Sequence, residues 1–223
     1  PLLGERGWEV AAPSSAELDL ADAAAIASAV EQARPDVIVN LAAWTDLERC
    51  ERDEEGATVV NAEAVGHLAE AAASVGAGLC HVSTDYVFDG EKGALYVEDD
   101  PVAPLSAYAR TKLAGEVAAG PDATIVRTSW LVGVKGRSLI TAVLDQAADP
   151  DRQLRFVADQ GGSPTSAADL AAVLADLVDD LPGGVLHAAD AGRASRYDMA
   201  ALVLEVAGHD PARVAPIPAD DMP

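Results

Sequence analysis

With 223 residues, half of them hydrophobic, the chain can bury a sizeable core and suits one large domain or a domain with a smaller lobe. Fifteen basic against thirty-seven acidic side chains give a formal charge of −22, which repels nucleic acid and anionic membranes and argues against both as partners. No run is long and apolar enough to span a bilayer, and no charged start precedes an apolar core. Cys50 and Cys80 stand apart from any C-x-x-C or His cluster, so neither a disulfide framework nor a metal site is expected, and a reducing cytoplasm is the natural compartment. An acidic, lysine-poor, alanine-rich composition fits either a salt-adapted cell or a GC-rich genome.

The opening P-L-L-G-E-R-G reads as the tail of a helix, and W-E-V-A-A-P (8–13) as a strand. A helix is expected over 23–33, then D-V-I-V-N-L-A (36–42) as a strand buried on both faces. The acidic run E-R-C-E-R-D-E-E (48–55) reads as a solvated helical face, and V-V-N-A-E-A-V-G-H-L-A-E-A-A-A-S-V-G as a helix stopped by Gly76. G-A-G-L-C-H-V leads as a strand into S-T-D-Y at 83–86, with Asp89-Gly90 a turn beyond it. A helix over 107–119, a strand over 123–130, a helix near 138–148 and a short strand over 154–158 follow. Helices over S-A-A-D-L-A-A-V-L-A-D-L-V and 195–207 come next, and the chain closes on a proline-rich tail. His81 reads as a packed core residue, His67 and His209 as solvated.

Strands alternating with helices predict an α/β fold, a Rossmann-like doubly wound parallel sheet whose ligands gather at the carboxyl ends of its strands. The expected division places 1–132, joined by 154–181, in a dinucleotide-binding domain. It places 133–153 and 182–223 in a smaller substrate-binding lobe. Gly4 and Gly7 follow no strand, so the first strand and its G-x-x-G-x-x-G turn are expected to be missing, and the end at A-D-D-M-P to be cut.

Chemistry concentrates on the rim. In S-A-Y-A-R-T-K-L-A-G-E (106–116), Tyr108 and Lys112 fall one helical turn apart on one face. A cation there favours the phenolate and makes the phenol a better proton donor near neutral pH. Carbonyl reduction also needs a second hydroxyl beside the phenol, and Thr84 stands at the end of the preceding strand. A strand-end hydroxyl followed by Y-x-x-x-K on the next helix resembles the extended short-chain dehydrogenase/reductase superfamily.

Within it, the sequence resembles the dTDP-4-dehydrorhamnose reductase family. The resemblance runs through R-P-D-V-I-V-N-L-A-A-W-T-D (34–46), V-N-A-E-A-V (60–65), V-S-T-D-Y-V-F-D-G (82–90), A-P-L-S-A-Y-A-R-T-K-L-A-G-E (103–116), V-R-T-S-W (126–130) and D-Q-G-G-S-P-T (159–165). It implies Thr84, Tyr108 and Lys112 as the catalytic triad of a ketone reduction, with NADPH or NADH delivering hydride to C4 of a sugar nucleotide. It further implies Ala42, Ala43, Thr45 and Asn61 beside the cofactor with Tyr108 and Lys112, Asp19 and Leu20 near its adenosine end, and Thr84, Asp85, Tyr86 and Trp130 at the substrate. Gln160, Pro164 and Thr165 would form a wall, while Arg127 would end a strand and pair with a carboxylate. Ser138 and Leu139 depart from the Asn and Phe usual after R-T-S-W, the absent glycine loop puts cofactor binding by this stretch in question, and a late basic segment is expected beyond Met222.

Dehydratases of this fold carry Asp and Glu after the strand-end threonine; here Tyr86 replaces the second carboxylate, which removes the base that elimination needs. An epimerase, or a non-catalytic nucleotide-binding subunit of the methionine adenosyltransferase type, is the alternative, and a homodimer is left open. To hold anionic ligands in so acidic a protein, Arg110, Lys112, Arg127, Lys135, Arg137, Arg152 and Arg155 are expected to make the cleft locally less negative.

Overall fold

The computed structural model describes residues 2–136 and 138–221. The chain divides into two compact units, residues 1–128 with 171–188 and residues 129–170 with 189–223. Helices α1 (Leu2–Glu5), α2 (Ala23–Ala33), α3 (Leu47–Arg52), α4 (Glu54–Thr58), α5 (Ala64–Val75) and α6 (Ala107–Ala119) belong to the first unit. So do strands β1 (Val37–Asn40), β2 (Gly78–Thr84) and β3 (Thr124–Thr128). The second unit takes up β4 (Leu131–Val132), α7 (Leu139–Ala147), β5 (Leu154–Val157), β6 (Gly161–Gly162) and β7 (Thr165–Ser166). Helix α8 (Ala167–Leu177) leads back to the first unit and its strand β8 (Gly184–His187); β9 (Ala194–Ser195), α9 (Arg196–Val206) and β10 (Val214–Ile217) complete the second. Of the segments expected in the first domain, β4, β5, β6 and β7 lie in the second unit, and β8, expected in the lobe, lies in the first.

The first unit is built on a parallel sheet of order β1-β2-β3-β8, the Rossmann-like α/β fold that the alternating pattern predicts. Ile26, Val30, Val65, Leu68, Leu79 and Ile125 form its core, and Leu18, Leu20 and Ile38 pack against them. The strand register places Asn40 opposite His81, whose side chains meet, and Ser83 opposite Arg127, which both bond Glu116. Helix α6 starts at Ser106, whose hydroxyl accepts the Ala109 amide at 3.2 Å, and α5 stops at Gly76, whose φ of 78° suits a residue without Cβ. The second unit packs Val143, Ala147, Leu154, Ala200, Leu204 and Val214 together, with β5 and β10 paired in parallel.

Several expectations are corrected. Residues 8–13 are not a strand: they run almost wholly exposed, and a strand needs a neighbouring ladder that no described segment gives them. The acidic 48–55 run is two helices broken at Asp53, and it buries Cys50 completely. The helix beginning at Val59 opens with a π-helical turn, Val59–Glu63, before α5. The proline-rich tail contains β10, and His67 is half-buried rather than solvated. Arg137 and the segment from Met222 lie outside the described residues.

Candidate active site

Strand β2 delivers Thr84 to its carboxyl end, where the hydroxyl accepts the Tyr86 amide at 3.2 Å and lies 3.3 Å from Asp85 Oδ1. This turn is the local consequence of a hydroxyl at a strand end followed by Asp. It sets Tyr86 with its ring 5.9 Å from that of Tyr108 in an edge-to-face contact. Tyr108 sits on the first turn of α6, half-buried against the cluster of Cys50, Ala57 and Ala107, on which Trp44 also packs. Burial pushes its phenol up to about 12; the nearby Thr84 hydroxyl pulls it down, and Asp85 and Tyr86 add to the rise.

Lys112 lies one turn further along α6, only 2 % exposed. Its Nζ donates to the Val82 carbonyl at 2.8 Å and lies 3.0 Å from His81 Nε2. Burial lowers its pKa to about 8, partly opposed by Glu116. The expected lowering of the Tyr108 phenol by this amine is therefore not what the free chain displays. The amine turns into the sheet, and desolvation of the phenol dominates.

The loop after β1 carries Ala42, Ala43 and Thr45, exposed or half-buried. Asn61, fully enclosed in the π-turn, grips this loop: its Oδ1 accepts the Trp44 amide at 2.8 Å, and its Nδ2 donates to the Trp44 carbonyl and to Thr111 Oγ1. Asp19 is exposed and caps the Ala21 amide, while Leu20 packs on the core. In the second unit, Trp130 holds φ at 40°, a strained left-handed conformation for an aromatic residue. Its ring lies against the Gly162 backbone and under the Arg196 guanidinium, 4.6 Å from the ring centre. Thr165 donates its amide to the Trp130 carbonyl at 3.3 Å.

Arg127 is buried at the end of β3 and pairs with Glu116 of α6 through Nε and Nη2, at 3.0 and 2.7 Å; Ser83 adds a bond to Glu116 Oε1. Arg110 is engaged by both oxygens of Glu54. Arg110, Lys112 and Arg127 thus have protein partners, while Lys135, Arg152 and Arg155 are exposed in the second unit. Asn40 and His81, which meet at 3.1 Å beneath Lys112, were not expected as a unit. The available signal was a polar residue in each of two adjoining buried strands, since buried polar groups require partners.

Thr84 thus ends β2, Tyr108 stands on the first turn of α6 and the buried Lys112 amine one turn further along, and known proteins bear on the chain's ancestry. It matches the family described as RmlD substrate binding domain over residues 2–223. This chain belongs to that family. It is 43 % identical to a dTDP-4-dehydrorhamnose reductase of Mycolicibacterium smegmatis over 98 % of this chain and 68 % of that protein. It is equally 43 % identical to a probable dTDP-4,6-dihydroxy-2-methyloxan-3-one 4-ketoreductase of Streptomyces antibioticus, over 96 % of this chain and 74 % of the relative. Among solved structures, a dTDP-4-dehydrorhamnose reductase from Bacillus anthracis in complex with NADP superposes with a TM-score of 0.92 at 29 % identity, covering 99 % of this chain and 81 % of that one.

Proposed function

We propose that the protein is an NAD(P)H-dependent oxidoreductase that reduces the 4-keto group of a deoxysugar nucleotide, converting dTDP-4-dehydro-L-rhamnose to dTDP-L-rhamnose. The observation that carries this reading is the placement of Thr84 at the carboxyl end of β2 and Tyr108 on the first turn of α6, each beside Tyr86, in a chain of a family whose named members are such reductases. The residues present fit a nicotinamide cofactor, because a protonated phenol beside a second hydroxyl is the donor set a carbonyl oxygen needs during hydride addition. NADPH is the proposed form, in keeping with the NADP held by the Bacillus anthracis protein. The stretch Ala12–Ser15 offers no arginine for a 2′-phosphate, so NADH belongs in the assay.

When bound, the reduced nicotinamide supplies hydride to C4 of the sugar. Tyr108 Oη gives its proton to the C4 oxygen, and Thr84 Oγ1 holds that oxygen where negative charge develops. Lys112 supports Tyr108 from the next turn. Asp85, Tyr86 and Trp130 are the proposed sugar contacts. Ala42, Ala43 and Thr45 line the dinucleotide, Asn61 fixes their loop through Trp44, and Asp19 and Leu20 lie towards the adenosine.

Tyr86 in place of a second carboxylate favours reduction over dehydration. The complete hydroxyl, phenol and amine set favours turnover over a purely binding role. No described helix is long and apolar enough to cross a membrane, and the two buried free thiols suit a reducing cytoplasm. A homodimer belongs to the same proposal, and sedimentation of the purified protein tests it. Tyr108→Phe tests the chemistry: kcat falls about 10²- to 10⁴-fold with the fold retained. Turnover unchanged in this variant would remove Tyr108 from the reaction.

A further inference from the structure

Beneath the Thr84 strand end lies a buried line of polar groups, two of which, Asn40 and His81, the reduction does not itself use. Asn40 closes β1, His81 stands opposite it on β2, and Lys112 approaches from α6; all three are almost wholly enclosed. Asn40 Oδ1 accepts the Ala42 amide at 3.1 Å, and Asn40 Nδ2 lies 3.1 Å from His81 Nδ1. On the other side of the ring, Nε2 lies 3.0 Å from Lys112 Nζ, which also donates to the Val82 carbonyl at 2.8 Å.

One fixed donor sets the direction of every bond in this line. A backbone N–H only donates, so Asn40 turns its oxygen to Ala42 and its NH2 to His81. His81 Nδ1 then accepts, and a neutral imidazole that accepts at Nδ1 carries its proton on Nε2. An ammonium at Lys112 would oppose that N–H with another donor. An uncharged amine accepts it through the nitrogen lone pair and still donates to Val82. A doubly protonated ring is opposed from the other side, since Asn40 would face Nδ1–H with its own NH2.

We infer that Asn40 and His81 form a tautomer lock: by fixing the ring proton on Nε2 they set a donor against Lys112 and favour its uncharged amine. Burial acts in the same direction, taking His81 down to about 3 and Lys112 to about 8. Other groups bear on the amine. Glu116, on its own helix, favours the cation, but its carboxylate is engaged by Arg127 of β3 and Ser83 of β2. Tyr108 lies one turn back, and Asp85 at the end of β2. Among the helices packed on α6, Glu51 accepts the Ala107 amide, Glu54 holds Arg110, and Glu63 is exposed. Asn40 and His81 are positioning residues. The consequence for catalysis rests on the proposed reductase function: the lock sets the pH below which Lys112 is a cation one turn from Tyr108.

The test is the nitrogen spectrum of ¹⁵N-labelled protein without substrate or cofactor, in the wild type and in Asn40→Asp. The wild type should show His81 protonated at Nε2 and bare at Nδ1. In Asn40→Asp the carboxylate can accept from Nδ1–H, so the proton moves to Nδ1 and Nε2 becomes an acceptor for an ammonium. The Lys112 pKa then rises by about one unit or more, tenfold in its acid constant, and the basic limb of kcat/KM moves up with it. Nδ1 protonated in the wild type overturns the lock, whether or not the variant folds. So does a Lys112 shift without exchange of the ring proton, because added negative charge alone would produce it. These spectra need no turnover, so they stand if the reductase reading fails, and wild-type turnover stands if the lock fails.

Discussion

Gly115→Ala puts the packing beneath the site under direct test. A Cβ built on Gly115 would lie 2.1 Å from the Asn61 carbonyl oxygen and 3.5 Å from His81 Nε2. The first contact is against backbone in the π-turn, and real Cβ atoms do not approach closer than 3.0 Å, so helix and turn must part by roughly an ångström. Alanine in a helix is worth about 1 kcal/mol over glycine. Overpacking against a rigid neighbour costs about 1–3 kcal/mol or more. Moving Asn61 also strains its hydrogen bonds to Trp44 and Thr111, each worth about 1 kcal/mol. The clash therefore wins, with a net loss of about 2–3 kcal/mol and a Tm lower by about 4–12 °C for a chain of this size. Urea and thermal midpoints measure it, and KM for the dinucleotide should rise as the Ala42–Thr45 loop loosens. A Gly115→Ala protein as stable as the wild type would show that α6 and the π-turn do not meet this closely.

Glu116→Ala leaves the Arg127 guanidinium buried with its charge partner gone, and should cost about 3–5 kcal/mol in urea unfolding; a change under about 1 kcal/mol would contradict the buried pair. His81 links folding to pH. Its folded pKa of about 3 lies below the ordinary value of 6.5, so the unfolded chain binds the extra proton between them, and stability present above pH 6.5 is lost as pH falls towards 3. The full effect is of order 5 kcal/mol, and it appears as the difference between the stability profiles of wild type and His81→Gln; parallel profiles would refute it. Ser106→Ala removes the cap of α6 and should cost about 1 kcal/mol, read from the same midpoints.

Much of the framework was legible because local chemistry and global fold agree. Asp22 and Ser106 cap the helices that the periodicity predicts, and Gly76 ends a third; the apolar run around Val37–Asn40 is a parallel strand, but half-buried up to Asn40 rather than buried on both faces. Thr84, Tyr108 and Lys112 were legible as a pattern of spacing and strand end. What that pattern does not encode is where the lysine points. Its partners Val82 and His81 come from a neighbouring strand, and His81 read alone is a core residue. Residues 8–13 carry strand-like composition without a ladder to join, whereas Val214–Ile217 hides a strand among Pro211, Pro216 and Pro218 because β5 supplies its partner. The π-turn at Val59–Glu63 is invisible to a periodicity that runs through it, although Asn61, polar within an apolar helix face, marks the place.

Reductase activity itself is decided by mixing the protein, as its gene encodes it, with NADPH and dTDP-4-dehydro-L-rhamnose and following absorbance of the reduced nicotinamide alongside the sugar product. One NADPH should be consumed per dTDP-L-rhamnose formed, with kcat reduced about 10²- to 10⁴-fold in Tyr108→Phe. No oxidation of either NADPH or NADH by the wild type in the presence of the keto sugar, or a product epimerised without nicotinamide consumption, would contradict the proposed reaction.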